Sequence, residues 1–211
     1  MNSRERILGR VRRALADVPA DATPIPRDYL REHGRRTDEE TVNLLAENLA
    51  DYLALVHRTD REGLAGLITG LLEKGGSNSV LVPSGLDDGW LSASGATRVP
   101  DRAESAPGEL DRVDSVVTAC AVAIAETGTI VLDGSSDQGR RRITLVPDHH
   151  LCVVRVPSQV VSSVPQGLER LDPARLLTWI SGPSATSDIE LDRVEGVHGP
   201  RTLEVILVSG D

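Results

Sequence analysis

Five short apolar runs crowd the second half of the chain: SVVTAC from Ser115, TIVL from Thr129, HLCVVRV from His150, LLTWISG from Leu176 and TLEVILVSG from Thr202. Each is close to strand length and rich in Val and Ile. The apolar residues are continuous rather than alternating, which requires strands covered on both faces. Helical patterns such as SQVVSSVPQGLERL sit between some of the runs. Strands covered from both sides by intervening helices make an α/β layered sheet, so residues 113–208 are expected to form a largely buried sheet flanked by helices.

The first half supplies helices. TDEETVNLLAENLADYLALVHR places Thr37 and Glu40 at capping-box spacing and puts Val42, Leu45, Leu49 and Leu53 on one face. REGLAGLITGLLEKGG reads as a second helix ending at glycine, with Lys74 as its C-terminal cation, and SVLVP as a short buried strand. Residues 1–30 stand apart. Ile7, Leu8, Val11, Leu15 and Val18 follow helical spacing, Arg4, Arg6, Arg10, Arg12 and Arg13 lie mostly around the other face, and Pro19, Pro24 and Pro26 deny continuation. The expected division is an amphipathic basic helix with a Pro-rich tether over 1–30 and one α/β domain over 31–211. Docking within the protein or its oligomer, docking on a partner, or lying on anionic lipid are the three uses open to such a helix.

Composition removes several function classes. A formal charge of −9 and the absence of Phe argue against a nucleic-acid binder, which needs basic surface and stacking platforms. Lys74 is the only Lys, which narrows Schiff-base chemistry to that one residue. Cys120 and Cys152, 32 positions apart, fall short of the four thiolates of an ordinary iron–sulfur site and read as buried structural thiols. His149 and His150 begin a strand-like run and His198 lies in GVHGPR, with no metal-helix spacing and no G-x-S-x-G elbow, so no metal is expected. No apolar signal region or membrane-length apolar stretch occurs, and a cytoplasmic protein is expected.

Three loops carry the chemistry. In AETGT, Glu126 follows the strand-like VVTACAVAIA and precedes Thr127, Gly128 and Thr129, which places it at a sharp turn where α/β proteins hold ligands. It is a nucleophile, a general base or a turn-stabilising acceptor. DGSSDQGRRR joins a hydroxyl-rich turn to Arg140, Arg141 and Arg142, which suits an anion or a solvated hairpin equally. SGPSATSDIE carries Gly182 and Ser184 after a strand, suited to binding through backbone N–H groups, though Asp188 and Glu190 oppose an anion there. The site expected from these loops sets Glu126 in a cleft, with Thr127, Gly128 and Thr129 shaping the turn. One or more of Arg140, Arg141 and Arg142 faces it, and Gly182 and Ser184 form the opposite wall.

Read together, AIAETGTIVLDGSSDQGRRRITLVPDHHLCVV, SGPSATSDIELDRVEGVHGPRTLEVILV and the basic start SRERILGRVRRAL resemble the lactate utilization protein C family, the LUD-domain proteins, over essentially the whole chain. The resemblance implies a three-layer α/β/α sandwich similar to ribose-5-phosphate isomerase, glucosamine-6-phosphate deaminase and the CoA-transferases. It also implies a role beside iron–sulfur and oxidoreductase partner subunits in oxidising L-lactate to pyruvate. Because this chain lacks cluster-binding cysteine runs, the implied role is a non-redox subunit, without a cofactor of its own, that binds a small organic anion. An independent transferase or isomerase acting on a CoA-linked or phosphorylated substrate is the alternative. CoA-transferases of that fold form a thioester on a glutamate, which invites comparison with Glu126 at the level of fold only, and no glycine-rich CoA loop is evident here.

Overall fold

Alternation along a strand sends successive side chains to opposite faces, and here it sorts the apolar runs to the two sides of one sheet. A computed structural model describes residues 3–17, 28–183, 185 and 186, 194 and 195, and 199–210. The chain divides into two units, residues 1–30 and 31–211. The first contains α1 (Ser3–Ala14), whose acidic Glu5 and basic Arg12 and Arg13 complement the helix dipole. None of its residues is buried, and Ile7, Leu8 and Val11 stand exposed.

In chain order the second unit runs α2 (Asp38–Asp51), β1 (Leu55–Asp60), α3 (Leu64–Lys74), β2 (Ser79–Val82), β3 (Thr97–Pro100), α4 (Pro107–Leu110), β4 (Ser115–Thr118), β5 (Val122–Ile124) and β6 (Thr129–Leu132). It continues through β7 (His149–Arg155), β8 (Val160–Val161), α5 (Val164–Glu169), β9 (Thr178–Ile180), β10 (Ala185–Thr186), β11 (Val194–Glu195) and β12 (Thr202–Ser209). Six strands form an all-parallel sheet in the order β1-β12-β7-β4-β2-β3. This is the α/β class expected from the continuous apolar runs. No helix among the described residues is long and apolar enough to cross a membrane.

On one face, Leu151 and Val153 of β7 and Ile206 and Val208 of β12 pack with Leu64, Ile68 and Leu72 of α3. On the other, Cys152, Val154, Val205 and Leu207 pack with Val42, Leu45 and Leu49 of α2. Each such burial contributes roughly 1.5–3 kcal/mol. A one-residue slip would exchange the two faces, so the pairing Val205↔Cys152 is fixed by both cores at once. Both cysteines are buried and free. The hydrogen bond with Cys152, followed by burial, pushes the Cys120 thiol well above its usual range.

Two segments depart from the sequence reading. The helical spacing that begins at Thr37 stops at Asp51, because Leu53 takes a left-handed φ of 67° and turns the chain. Residues from Leu55 then pair with β12 as an edge strand, where ladder hydrogen bonds override helical periodicity. The strand-like VVTACAVAIA is two strands in two sheets. The chain leaves β4 at Ala119, whose amide donates to the Asp137 carbonyl at 3.0 Å, and enters a separate four-stranded sheet ordered β8-β5-β6-β9. That smaller sheet buries Ala123, Ile130 and Leu132 against the α2 side of the core. Val122, Ile124 and Val131 face Val164 at the start of α5.

Candidate functional site

Glu126 occupies a single 3-10 turn, Ala125–Thr127, between β5 and β6. The turn closes at Gly128, φ 55°, where an added Cβ would stand 2.7 Å from the carbonyl carbon of Asn48. Only glycine meets both demands. Asn48 Nδ2 donates to the Ala125 carbonyl at 2.7 Å and the Glu126 amide donates to the Ser162 carbonyl at 3.0 Å, so α2 and the residue after β8 hold the turn between them.

The carboxylate is 18% exposed, and each oxygen has a partner. Arg36 Nη1 donates to Oε1 at 3.2 Å, and His33 Nδ1 lies 2.8 Å from Oε2. These partners come from the segment just before the Thr37 cap, some 90 residues away in sequence. Nothing local to AETGT announces them, because the contact exists only once α2 has packed.

The remaining expected residues separate into two places. Thr129 Oγ1 lies 2.8 Å from Ser181 Oγ, which ties the Glu126 turn to the loop of Gly182. Gly182, φ 80°, passes so close to α2 that a Cβ would stand 2.1 Å from the Tyr52 carbonyl oxygen. Ser184 lies outside the described residues.

The arginine cluster stands at the other end of β6. A four-residue strand spans about 13 Å, and the loop 133–139 that follows it delivers Arg140 to Asp101, not to Glu126. Desolvation alone would raise the Asp101 carboxyl, but hydrogen bonds from the Arg140 side chain and backbone, with its charge, hold it below the usual range. Arg142 donates to the carbonyls of Arg102, at 2.9 Å, and Ala103, at 2.6 Å. The loop satisfies itself: Asp133 pairs with Arg175, and its amide donates to Gln138 Oε1 at 2.7 Å. The cation partner of Glu126 is Arg36, in a role expected of the 140–142 cluster.

Three cavities of similar size adjoin these elements. One of about 480 Å³ takes Arg31, Arg35, Arg36 and Arg170 together with Glu32 and Glu169. Another, about 520 Å³, lies at the N-terminal edge of the parallel sheet and carries Asp111, Asp114, Asp148, Lys74 and Arg201. Beneath it runs a partly buried polar chain. Ser77 Oγ lies 2.5 Å from Ser115 Oγ, Ser115 Oγ lies 2.9 Å from His149 Nδ1, and Glu204 pairs with both His57 and His149. Burial alone would raise the Glu204 carboxyl, and the two histidines outweigh it, holding the group below its ordinary value. The third cavity, about 500 Å³, follows β9 and brings Arg141 and Gly182 together with His150, Thr178, Trp179 and Ser181. Sequence reasoning weighed His150 only for metal or triad chemistry. Its place here depends on alternation along β7, which sends it to the face opposite His149.

Comparison with known proteins agrees with this architecture. The LUD domain matches residues 42–208. Lactate utilization protein C of Deinococcus radiodurans is 43% identical over 210 residues, covering 96% of this chain and 94% of that protein. The lactate utilization protein C of Halalkalibacterium halodurans is 27% identical over 220 residues, covering 95% and 92%. A crystal structure of a DUF162 family protein from Deinococcus radiodurans at 1.70 Å resolution superposes with a TM-score of 0.71 at 40% identity, covering 82% of this chain and 99% of that one. The match over most of the chain, on a parallel sheet with these covered faces, means that the protein belongs to the LUD domain family.

Proposed function

We infer that this chain serves L-lactate utilization as a subunit without an electron-transfer centre of its own, beside iron–sulfur and oxidoreductase subunits that take L-lactate to pyruvate, and that it binds a small organic anion. The observation that carries the reading is similarity to a lactate utilization protein C along nearly the full length of both chains. The cysteine count supports the division of labour. An ordinary cluster asks for four thiolates, and the chain has two, both buried in the core.

Within that role Glu126 is the residue assigned to chemistry or to ligand contact, with Thr127, Gly128 and Thr129 shaping its turn. Arg36 and His33 each hold one oxygen of its carboxylate and fix its orientation. Glu126→Gln retains the shape and removes the charge. Lactate oxidation by the reconstituted subunits is expected to fall at least about a hundredfold, the lower end of what a positioned acid or base supplies, while the melting temperature stays near that of the parent. Intact activity with reduced stability would make Glu126 architectural. The purified chain alone, offered L-lactate, sugar phosphates and acyl-CoA thioesters, is expected to turn over none of them. Turnover of a thioester or sugar phosphate would favour an independent transferase or isomerase.

A further inference from the structure

Acidic residues outnumber Lys and Arg by 32 to 23 in this chain, and the two cavities of about 520 and 480 Å³ each mix carboxylates with their cations. The cavity along β9 differs. Its described lining contains no carboxylate, and its one cation is Arg141. The residues on either side of Arg141 are occupied, Arg140 by Asp101 and Arg142 by two backbone carbonyls. Among the described residues, no carboxylate pairs with the exposed Arg141 guanidinium.

The rest of the lining sets the character of a ligand. Thr144, Thr178 and Ser181 offer hydroxyls, while Leu145, Ile180 and Leu203 offer apolar surface. His150 lines the same space, donating to or accepting from Thr118 Oγ1 at 2.8 Å, and burial keeps it neutral by holding its pKa at about 3. One planar guanidinium matches the fork of one carboxylate. A doubly charged phosphate asks for more compensation than one arginine and neutral hydroxyls provide. The volume of about 500 Å³ falls within the range of metabolite pockets and exceeds what a three-carbon acid fills.

We propose that this cavity is the anion site of the protein and that its ligand is a monocarboxylate with a compact apolar body, its carboxylate on Arg141 and its body against Ile180 and Leu203. The proposal rests on the reading that the chain binds an organic anion. It moves that anion away from Glu126 and names its class.

Trp179 lines the cavity and is one of two tryptophans, the other being Trp90, buried on the α3 side of the sheet. In a Trp90→Phe chain, Trp179 is the only indole emitter. Titration with 4-methyl-2-oxopentanoate is expected to change its emission saturably, and adding Arg141→Gln, a surface change that leaves the core alone, is expected to weaken binding by about tenfold or more. Inorganic phosphate is expected to give no saturable response. Saturation-transfer NMR on the unmodified chain, compared with Arg141→Gln alone, makes the same comparison without altering a tryptophan. Equal titrations with and without Arg141, tighter binding of phosphate than of the carboxylate, or no saturation by the carboxylate in either measurement would overturn the site. Such a failure is separate from the role in lactate oxidation, which the reconstituted assay reads without reference to this cavity.

Discussion

Lowering the pH from 7.5 to 5 is expected to cost the folded protein about 2 kcal/mol through His150 alone. Burial, followed by the charge of His149, pushes the His150 imidazole down to about 3. In the unfolded chain the same ring takes a proton near its ordinary value of about 6.5. Between those two values the unfolded state binds more protons than the folded one, so stability falls as pH falls. The carboxyls of Asp101, Asp133 and Glu204 are also held low, but their stabilisation is lost only below the ordinary carboxylate range. His150 therefore acts first on the way down. Chemical denaturation at both pH values checks it: His150→Gln should shrink the pH-dependent loss by about 2 kcal/mol, whatever the variant does to stability at pH 7.5. Equal losses in parent and variant would show that His150 does not set this sensitivity.

Gly182→Ala should be among the most damaging single-methyl changes in the chain. Its φ of 80° is strained for any L side chain, and the new Cβ would meet the Tyr52 carbonyl oxygen at 2.1 Å, a backbone atom that cannot rotate away. Left-handed strain and overpacking together cost about 2–5 kcal/mol. Gly66→Ala is the contrasting case. It lies in α3 with open space where a Cβ would go, and is expected to gain up to about 1 kcal/mol from helix propensity. Thermal melts of the two variants should move in opposite directions. An unchanged melting temperature for Gly182→Ala would mean that the loop does not pack on α2 as described.

The α/β class was legible because parallel strands buried on two faces must be apolar throughout, and TLEVILVSG and HLCVVRV obey that rule. The end of α2 was not. Leu53 continues the helical spacing, and only the pairing of Leu55–Asp60 with β12 shows that the segment after it is an edge strand. The break at Ala119 was equally silent, since VVTACAVAIA has no glycine or proline to mark a change of sheet. At the site, the turn around Glu126 was readable from Gly128, a local demand written in one residue. Its partners Arg36 and His33 were not, because their approach depends on how α2 packs. For Arg140, Arg141 and Arg142 the sequence offered three equivalent cations. Asp101 takes the first, backbone carbonyls take the third, and the middle one is left at a cavity.

In the role we propose, the protein supports L-lactate oxidation without itself carrying the electrons. The direct measurement is L-lactate-dependent reduction of an electron acceptor by the purified iron–sulfur and oxidoreductase subunits, with and without this chain, alongside iron analysis of the chain itself. The rate is expected to depend on adding the chain, and the chain is expected to contain no stoichiometric iron. A full rate in its absence, or iron bound in proportion to protein, would contradict it.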